Sequence, residues 1–596
     1  MRRTHYIRFL LTTAALAASL PAFAQTLPAL PDTGAPAVEG PVLAAPESEI
    51  IAPLAPAPRS DADRYSEVIA PPPAETVEGL IARRLAESKD TADLRSFYEA
   101  RQNAPLWIAD NKLTPKALAV LDVIRRADEE GLDPTAFFLP DPAASEGSPE
   151  QLAAAEIALS RAASAYARQA QGGRLVPSSL GPLITPDVTR PSRDKVLNVM
   201  ASHDDAADWL QAYNPPHEPY KALKKKLAEL RAAEKGPVAP PPPQVPAAKK
   251  SLKPGMQDAR VPVLRERLGV ERVMVEAALP EGGVESVESL VYDEPLIEAV
   301  KTFQQRHGLN VDGIVGSQTV ALMNDAAKVE DPIPLILANM ERWRWLPREL
   351  GQTHIFVNVP EYMGRIVRGG EVIHETRVIT GSKQHQSPIF SDEMDHIIVN
   401  PAWNVPYSIA LKEMLPQLQR DPAYLARQGY EVIYTGQKKP VLLDSARIDW
   451  TTVDAKTMSQ VRIRQPPGEA NALGHIKFMF PNKHAVYLHD TPTRHLFARD
   501  MRALSHGCIR VQDPFQLADV LLEDTGLDGA KLKSMVGGSK ENRINLAHKI
   551  PIHITYFTAE VLPDGSLLSR PDVYGTDRKM KAALGLGGQL QASAKN

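Results

Sequence analysis

The stretch Ser505-His506-Gly507-Cys508-Ile509-Arg510-Val511 carries the single cysteine of the 596-residue chain. Upstream, His489 ends the apolar run Ala485-Val486-Tyr487-Leu488-His489, with 15 residues between it and Ser505. A cysteine nucleophile needs a base, donors for an oxyanion and a close main-chain approach to its substrate. His489 is the candidate base, Gly507 allows the close approach, and the N–H groups of residues 506–508 are candidate donors. The two stretches therefore predict cysteine catalysis at the ends of β-strands.

Two other interpretations of Cys508 stay open at this point. A lone cysteine cannot form a disulfide within its own chain, so it is either a buried small apolar side chain or a thiol kept for chemistry. His489, His506 and Cys508 are also plausible zinc ligands. The sequence has no second cysteine and no His-Glu-x-x-His pattern, which makes the zinc site the weaker hypothesis.

The N-terminal sequence and the composition indicate the cellular compartment in which the protein is expected. Residues 1–24 combine early arginines, an apolar run of 12 residues (Phe9–Leu20) and Ala22-Phe23-Ala24, which is typical of a cleaved secretory signal. Twelve helical residues span about 18 Å, less than a bilayer core of about 30 Å, although an uncleaved anchor is the alternative. No later apolar run approaches about 18 residues, so no stable membrane span is expected. A net charge of −4 argues against a nucleic-acid partner.

The rest of the chain divides by pattern into an α+β multidomain protein. Residues 25–74 are rich in Pro and Ala and predict a disordered linker. Residues 75–235 show helical periodicity, and residues 252–324 predict a second, small helical unit that ends in Asp312-Gly313 turn chemistry.

A β-pattern begins near residue 353 and predicts an antiparallel sheet or sandwich that runs to about residue 535. Residues 407–462 interrupt it with helical periodicity, which predicts an inserted helical subdomain. Residues 536–596 are expected to hold a last strand and a tail.

These stretches together resemble a known family. Ser505-His506-Gly507-Cys508 with an upstream histidine resembles the catalytic motif of YkuD-type L,D-transpeptidases. The longer, YcbB-like members of that family show similar stretches, here Asn400-Pro401-Ala402-Trp403-Asn404-Val405-Pro406, Asn471-Ala472-Leu473-Gly474 and Phe480-Pro481-Asn482. Residues 75–235 resemble the scaffold domain of that subfamily, and residues 252–324 resemble a peptidoglycan-binding module. The insertion at about 407–462 would be its capping subdomain.

The resemblance implies a reaction and its partners. The family attacks the bond between the third and fourth residues of a tetrapeptide stem of peptidoglycan, releases D-Ala and forms a thioester, here on Cys508. An amine of a neighbouring stem then resolves the thioester and leaves a 3→3 cross-link. His489 would be the proton acceptor and donor, with His506 and Gly507 in the oxyanion loop. Because a thiol and an imidazole suffice, neither a cofactor nor a metal ion is expected.

The substrate-binding candidates are Arg510, Ser505, Trp403 and Tyr487. Arg510 suits a substrate carboxylate, or it orders the loop, and Trp403 and Tyr487 line the pocket or pack in a core. The resemblance leaves several outcomes open. Water could resolve the thioester (L,D-carboxypeptidase), the acceptor could be a protein to be anchored, or the chain could be a wall-binding scaffold without activity. The compartment implied by a cell-wall substrate and an exported chain is the periplasm.

Overall fold

A computed structural model describes residues 76–87, 92–140, 147–233, 243–247, 250–278, 282–307, 309–328 and 331–586. The predicted signal peptide (1–24) and the predicted linker (25–74) lie outside these ranges. Within them, no helix is both long enough and apolar enough to cross a membrane.

The N-terminal domain is helical, as its periodicity predicts, apart from one short hairpin. Its longest helix, α4, begins after Ser148 with a capping box to Gln151 and buries an alanine-rich face. The elements are α1 (Val77–Glu87), α2 (Ala92–Ala100), β1 (Ile108–Ala109), β2 (Lys112–Leu113), α3 (Pro115–Arg125), α4 (Pro149–Gly172), α5 (Arg193–Ser202), α6 (Ala206–Gln211) and α7 (Glu218–Ala233).

The second, smaller unit is not wholly helical. A polar, exposed hairpin separates its first two helices, with Val275 opposite Val287. Because hardly any residue of this hairpin is buried, its sequence lacks the apolar alternation that predicts a strand. The elements are α8 (Val261–Leu268), β3 (Met274–Ala278), β4 (Val284–Glu288), α9 (Glu294–Arg306) and α10 (Ser317–Lys328).

A buried helix, α11 (Ile333–Trp343), leads from this unit into the β-domain. Its Trp343 stacks on Phe557 at 4.4 Å, and the following Arg344 donates a hydrogen bond of 2.8 Å to the hydroxyl of Tyr220 on α7. The N-terminal domain and the β-domain therefore share an apolar cluster around α11. The first strands of the β-domain are β5 (Thr353–Asn358), β6 (Met363–Arg368), β7 (Glu371–Gly381) and β8 (Phe390–Val399).

The insertion between β8 and the next core strand is mixed, which corrects the expected helical cap. The helical part is present, but β9, β10, β11 and β12 form a small sheet in the order β11-β10-β12-β9. These strands are short and bury few residues, chiefly Val432 and Ile463, so their alternation is weak. The elements are β9 (Trp403–Asn404), α12 (Tyr407–Ile409), a π-helical turn (Ala410–Met414), α13 (Leu415–Arg420), α14 (Tyr424–Arg427), β10 (Glu431–Tyr434), β11 (Val441–Leu443), α15 (Ala455–Met458) and β12 (Val461–Gln465).

The β-domain is completed after the insertion by the strands that carry the predicted motif. In the described residues, its main sheet has the order β15-β7-β16-β14-β13-β8-β17-β5-β6, and β6 also pairs with β7, so the sheet closes on itself. The elements are β13 (Ile476–Met479), β14 (Leu488–His489), β15 (Ala503–Ser505), β16 (Ile509–Val511), α16 (Pro514–Leu521), α17 (Gly529–Ser534) and β17 (Asn542–Thr555).

The sheet is not purely antiparallel as expected. β14 and β16 are parallel neighbours, as are β15 and β7, and β17 and β5. Between β14 and β16 the chain leaves the sheet, returns as β15 in the opposite direction and turns again at residues 506–508, a route that a two-residue turn cannot provide. The mixed α+β multidomain class is confirmed.

The C-terminal segment is more than a strand and a tail. β17 begins at Asn542, and it is followed by β18 (Ala559–Val561), β19 (Leu567–Ser569) and α18 (Thr576–Ala583). Asp577 of α18 forms a buried ion pair of 2.6 Å with Arg342 of α11. Since half of the residues of α18 are charged and only a few of its side chains are buried, its pattern alone gives little signal.

Candidate active site

The register of the neighbouring strands β13, β14 and β16 places a row of basic side chains on one face of the main sheet. Lys477 on β13 lies opposite His489 on β14, which lies opposite Arg510 on β16. The neighbours Leu488 and Ile509 point to the other face and are buried in the core. Because side chains alternate along a strand, Tyr487 shares the face of His489, and Cys508 shares the face of Arg510.

The turn that presents Cys508 is held by the hydroxyl of Ser505. This hydroxyl donates to the carbonyl of Cys508 at 2.5 Å and accepts from the N–H of Gly507 at 3.2 Å. Gly507 has φ +112°, a left-handed conformation that glycine adopts without strain. Behind the turn, the hydroxyl of Ser387 donates to the carbonyl of Gly507 at 2.7 Å. The turn is therefore fixed before any substrate arrives.

The thiol of Cys508 is half-buried and lies against Tyr487. Burial raises the pKa of the thiol above its ordinary value of 9.0, while the main-chain N–H and phenol of Tyr487, then Arg510 and Lys477, oppose that rise. Burial likewise raises the pKa of the Tyr487 phenol. At neutral pH both groups are protonated in this state of the protein.

The imidazole of His489 is oriented by a main-chain carbonyl. Its Nδ1 lies 2.5 Å from the carbonyl oxygen of Asp490, and since a carbonyl can only accept, Nδ1 carries the proton. Nε2 is left as the acceptor. Burial first, then Arg510 and Lys477, lower the pKa of His489 to about 3. His489 is therefore a neutral imidazole across the physiological range.

The carboxylate of Asp490 does not touch this imidazole. It accepts hydrogen bonds from Arg494 at 2.8 Å and from the main-chain N–H of His475 at 3.0 Å. Asp490 thus orients His489 through its backbone, while its side chain braces the surrounding loops.

The two cations beside the thiol are poorly paired. Arg510 donates from Nη1 to the hydroxyl of Thr493 at 3.3 Å, and its buried Nε has no partner among the described residues. Lys477 has its nearest carboxylate oxygen, on Glu541, 3.8 Å away. Half-buried cations without close anions create a positive potential that suits an anionic ligand.

The three main-chain N–H groups expected to bind an oxyanion, those of residues 506–508, differ in their contacts. The N–H of Gly507 is already directed to Ser505, whereas the N–H groups of His506 and Cys508 donate to no other described residue. The latter two are therefore the donors free to bind an oxyanion.

The side chain of His506 contacts the insertion rather than the thiol. It is exposed, and its Nε2 lies 3.1 Å from both carboxylate oxygens of Glu413, which belongs to the π-helical turn. We call residues 407–462 the cap. Through Glu413 the cap thus contacts His506, which lies two residues before Cys508 in the sequence.

Two of the four expected substrate-binding residues have other contacts. Ser505 is buried, and its hydroxyl donates the hydrogen bond to the Cys508 carbonyl that holds the turn. Trp403 packs against the apolar cluster of the cap, with its ring 6.1 Å from that of Tyr430. The structure brings Tyr487 and Arg510, by contrast, to the thiol.

Sequence reasoning missed Lys477, Ser387 and Glu413. Lys477 interrupts the apolar strand Ile476-Lys477-Phe478, and this lone charge was the available signal. Ser387 and Glu413 come from a loop and an insertion, which no spacing rule connects to Cys508.

Comparisons with known proteins agree with this architecture. Family models match three consecutive regions: "Scaffold domain" at residues 92–227, "Putative peptidoglycan binding domain" at 277–323, and "L,D-transpeptidase catalytic domain" (YkuD) at 352–534. The catalytic match contains the turn, the basic row and the cap described above.

Among individual proteins, a "Putative L,D-transpeptidase" of Haemophilus influenzae is 33% identical over 266 residues, which cover 45% of this chain and 53% of that protein. The match thus spans about half the length of this curated relative.

Crystal structures of L,D-transpeptidases from Stackebrandtia nassauensis and Xylanimonas cellulosilytica are 14% and 15% identical to this chain. They cover 52% and 53% of this chain, and 96% and 100% of their own chains, with TM-scores of 0.19 and 0.15. Scores this low do not establish a shared fold.

The three family regions stand in the order that the sequence resemblance predicts, which confirms that resemblance. The chain therefore has the YcbB-like arrangement of a scaffold domain, a peptidoglycan-binding domain and a YkuD-family L,D-transpeptidase catalytic domain.

Proposed function

We propose that the protein is an L,D-transpeptidase that forms 3→3 cross-links in peptidoglycan through a thioester on Cys508. One observation carries the proposal: the Cys508 thiol lies on the same sheet face as His489, whose free Nε2 is set by the Asp490 carbonyl. This pairing supplies a nucleophile and a base without a metal ion or cofactor.

In the first half-reaction, His489 Nε2 takes the thiol proton as sulfur attacks the carbonyl of the third stem residue. The N–H groups of His506 and Cys508 bind the oxyanion. The C–N bond to the fourth residue then breaks, and the protonated His489 returns its proton to the leaving amine of D-Ala. The product is a thioester on Cys508.

In the second half-reaction, the side-chain amine of a diamino acid on another stem attacks the thioester carbonyl. His489 takes a proton from this amine and passes it to the sulfur as the C–S bond breaks. An amide bond has formed and the Cys508 thiol is restored.

The positive charges of Lys477 and Arg510 support a donor stem peptide that carries a carboxylate. A tetrapeptide stem ends in the D-Ala carboxylate, beside the bond that is cut. Arg510 has an unpaired Nε, and the ion pair of Lys477 with Glu541 is long at 3.8 Å, so both cations keep the capacity to bind such a group.

The cap supports transfer over hydrolysis. Glu413 holds the cap beside the catalytic turn, and a covered site limits the access of water to the thioester. An L,D-carboxypeptidase and an enzyme that anchors a protein to the wall use the same first half-reaction and differ in the acceptor. Action on the wall places the protein in the periplasm, in keeping with the predicted signal at residues 1–24, and makes stem peptides its partners.

The test is incubation of the purified protein with tetrapeptide muropeptides, followed by separation and mass analysis. We expect dimers one D-Ala lighter than two monomers, with free D-Ala released. Tripeptide monomers without dimers would show hydrolysis instead, and unchanged substrate would overturn both activities.

A further inference from the structure

Three potential metal ligands from distant parts of the chain meet at the edge of the cap. His385 lies in the loop between β7 and β8, Glu413 in the π-helical turn of the cap, and His506 in the catalytic turn. Their ligand atoms all lie within 4.8 Å of one another. The two imidazole rings stack with centroids 4.6 Å apart, and His506 Nε2 is 3.1 Å from both oxygens of Glu413.

Two imidazoles and a carboxylate are a ligand set for zinc and similar divalent transition metals. Nitrogen and oxygen ligands lie about 2.0–2.2 Å from zinc, so in a tetrahedral site they are about 3.3 Å apart. The described spacing needs only small side-chain rotations to reach that value. Since both histidines are exposed, these rotations meet little resistance, and water can occupy the fourth position.

We propose that His385, Glu413 and His506 form a binding site for a divalent transition metal ion, typified by Zn²⁺, that fastens the cap to the catalytic turn. Each ligand comes from a different segment, so a bound ion joins the β7–β8 loop, the cap and the turn that carries Cys508. The π-helical turn aims Glu413 at this junction, and such turns are frequent at functional sites. The ion would bind the side chain of His506, whereas the proposed chemistry uses only the main-chain N–H of this residue and no metal ion.

The neighbouring thiol is the competing ligand, and its surroundings disfavour a cation. Lys477 and Arg510 flank Cys508 with positive charge, which repels a divalent cation. His385, Glu413 and His506 combine one negative charge with two imidazoles. A divalent ion therefore prefers the cap junction to the thiol.

A bound ion restrains the cap, so it slows the exchange of donor and acceptor stems. This effect on turnover rests on the proposed transpeptidase activity, whereas binding of the ion does not. The two parts are tested separately.

Binding is measured on the full chain by titration with Zn²⁺ and by the absorption spectrum of bound Co²⁺. We expect one site per chain, without a sulfur-to-cobalt charge-transfer band. His385→Ala and Glu413→Gln should each weaken binding at least tenfold. Cys508→Ala and the matched control His548→Ala, an exposed histidine on β17, should bind like the unmodified protein. Circular dichroism confirms folding of each variant.

Unchanged affinity in both His385→Ala and Glu413→Gln overturns the site, and so does a charge-transfer band that disappears in Cys508→Ala. For the cap, turnover of muropeptides is measured with and without Zn²⁺. We expect inhibition that a chelator reverses and that needs at least tenfold more Zn²⁺ in His385→Ala, whose metal-free rate is unchanged. Equal inhibition in both proteins overturns the cap restraint. No turnover at all would contradict the proposed function while the binding result still stands.

Discussion

Two buried polar clusters in this chain are built in opposite ways. In the N-terminal domain, the fully buried carboxylate of Glu156 accepts hydrogen bonds from the hydroxyl of Tyr98 at 2.7 Å and from the N–H groups of Leu106 and Trp107 at 2.6 and 2.9 Å. Ser160 in turn receives the indole N–H of Trp107 at 2.8 Å. Each group in this cluster has a partner.

The cluster around Cys508 leaves groups without partners. Arg510 has an orphan Nε, Lys477 lies 3.8 Å from its nearest carboxylate oxygen, and His489 Nε2 bonds to no described residue. Leaving buried polar groups unpaired costs stability, so such groups persist where a ligand supplies the missing partner. The Glu156 cluster should therefore govern stability, and the Cys508 cluster should govern turnover.

The sharpest test of that division is Cys508→Ala. The substitution removes a half-buried sulfur and no hydrogen bond that holds the turn, so the unfolding midpoint should stay close to that of the unmodified protein. Turnover of tetrapeptide muropeptides should fall below detection by mass analysis. Dimer formation by the Ala variant would remove Cys508 from the mechanism.

His489→Ala should reduce kcat/KM by about 10²–10⁴-fold, the usual effect of losing a positioned general base. Because burial lowers the pKa of His489 from 6.5 to about 3, the unmodified enzyme keeps its base unprotonated as the pH falls through 6.5. A pH–rate profile should accordingly show no acid limb near 6.5. If the rate fell with a midpoint at 6.5, the base would be a solvated imidazole and not His489 as the structure places it.

The thiol itself should be slow to alkylate. Iodoacetamide reacts with thiolate, and a pKa raised above 9.0 leaves less than about 1% thiolate at pH 7. The alkylation rate of Cys508 should rise with pH and reach its midpoint above 9.0, followed by mass spectrometry of the intact protein. A rate that is flat from pH 6 to 8 would instead indicate a thiolate–imidazolium pair.

The positions of Cys508 in a turn and of His489 at a strand end could be predicted, because these parts are close in sequence or have strong local signals. Cys508 follows a glycine in a turn, and His489 ends an apolar strand, so both positions carry their own evidence. The helical periodicity of residues 75–235 also pointed correctly to a helical domain, although the buried Glu156 did not stand out. A buried glutamate inside a long helix looks in sequence like any solvated one.

The remainder of the site depends on long-range geometry. Lys477 reaches His489 only through the register of β13 on β14, and a slip of one residue would turn it to the core. Glu413 meets His506 across 93 residues, through an insertion whose docking no periodicity encodes. The parallel pairing of β14 with β16 likewise follows from where the intervening loop packs.

Lys477→Met sharpens the comparison, because it should move activity and stability in opposite directions. Methionine keeps an unbranched apolar side chain and removes a cation that burial disfavours, as its lowered pKa indicates, although it also gives up the Lys477 Nζ, which lies 5.7 Å from the centre of the Tyr487 ring. We expect kcat/KM for the tetrapeptide donor to fall about tenfold, chiefly through KM, from loss of a charged contact worth about 1.5–3 kcal/mol at most. The thermal midpoint should be equal or higher. A lower midpoint with unchanged KM would make Lys477 a structural residue.

Glu156→Gln should give the complementary result, with a change in stability alone. Both carboxylate oxygens accept N–H donors, so an amide NH₂ in place of one oxygen sets donor against donor at Leu106 or Trp107. Loss of one charged hydrogen bond costs about 1.5–3 kcal/mol, which in a domain of this size lowers the unfolding midpoint by several degrees. Tyr98→Phe is the matched control, since it removes one donor and leaves the carboxylate its two main-chain partners; its midpoint should fall less. Muropeptide turnover at 25 °C should be the same in all three proteins, because the cluster lies in a different domain from Cys508. If Glu156→Gln slowed turnover without lowering the midpoint, the N-terminal domain would be coupled to the chemistry, and the division between the two clusters would fail.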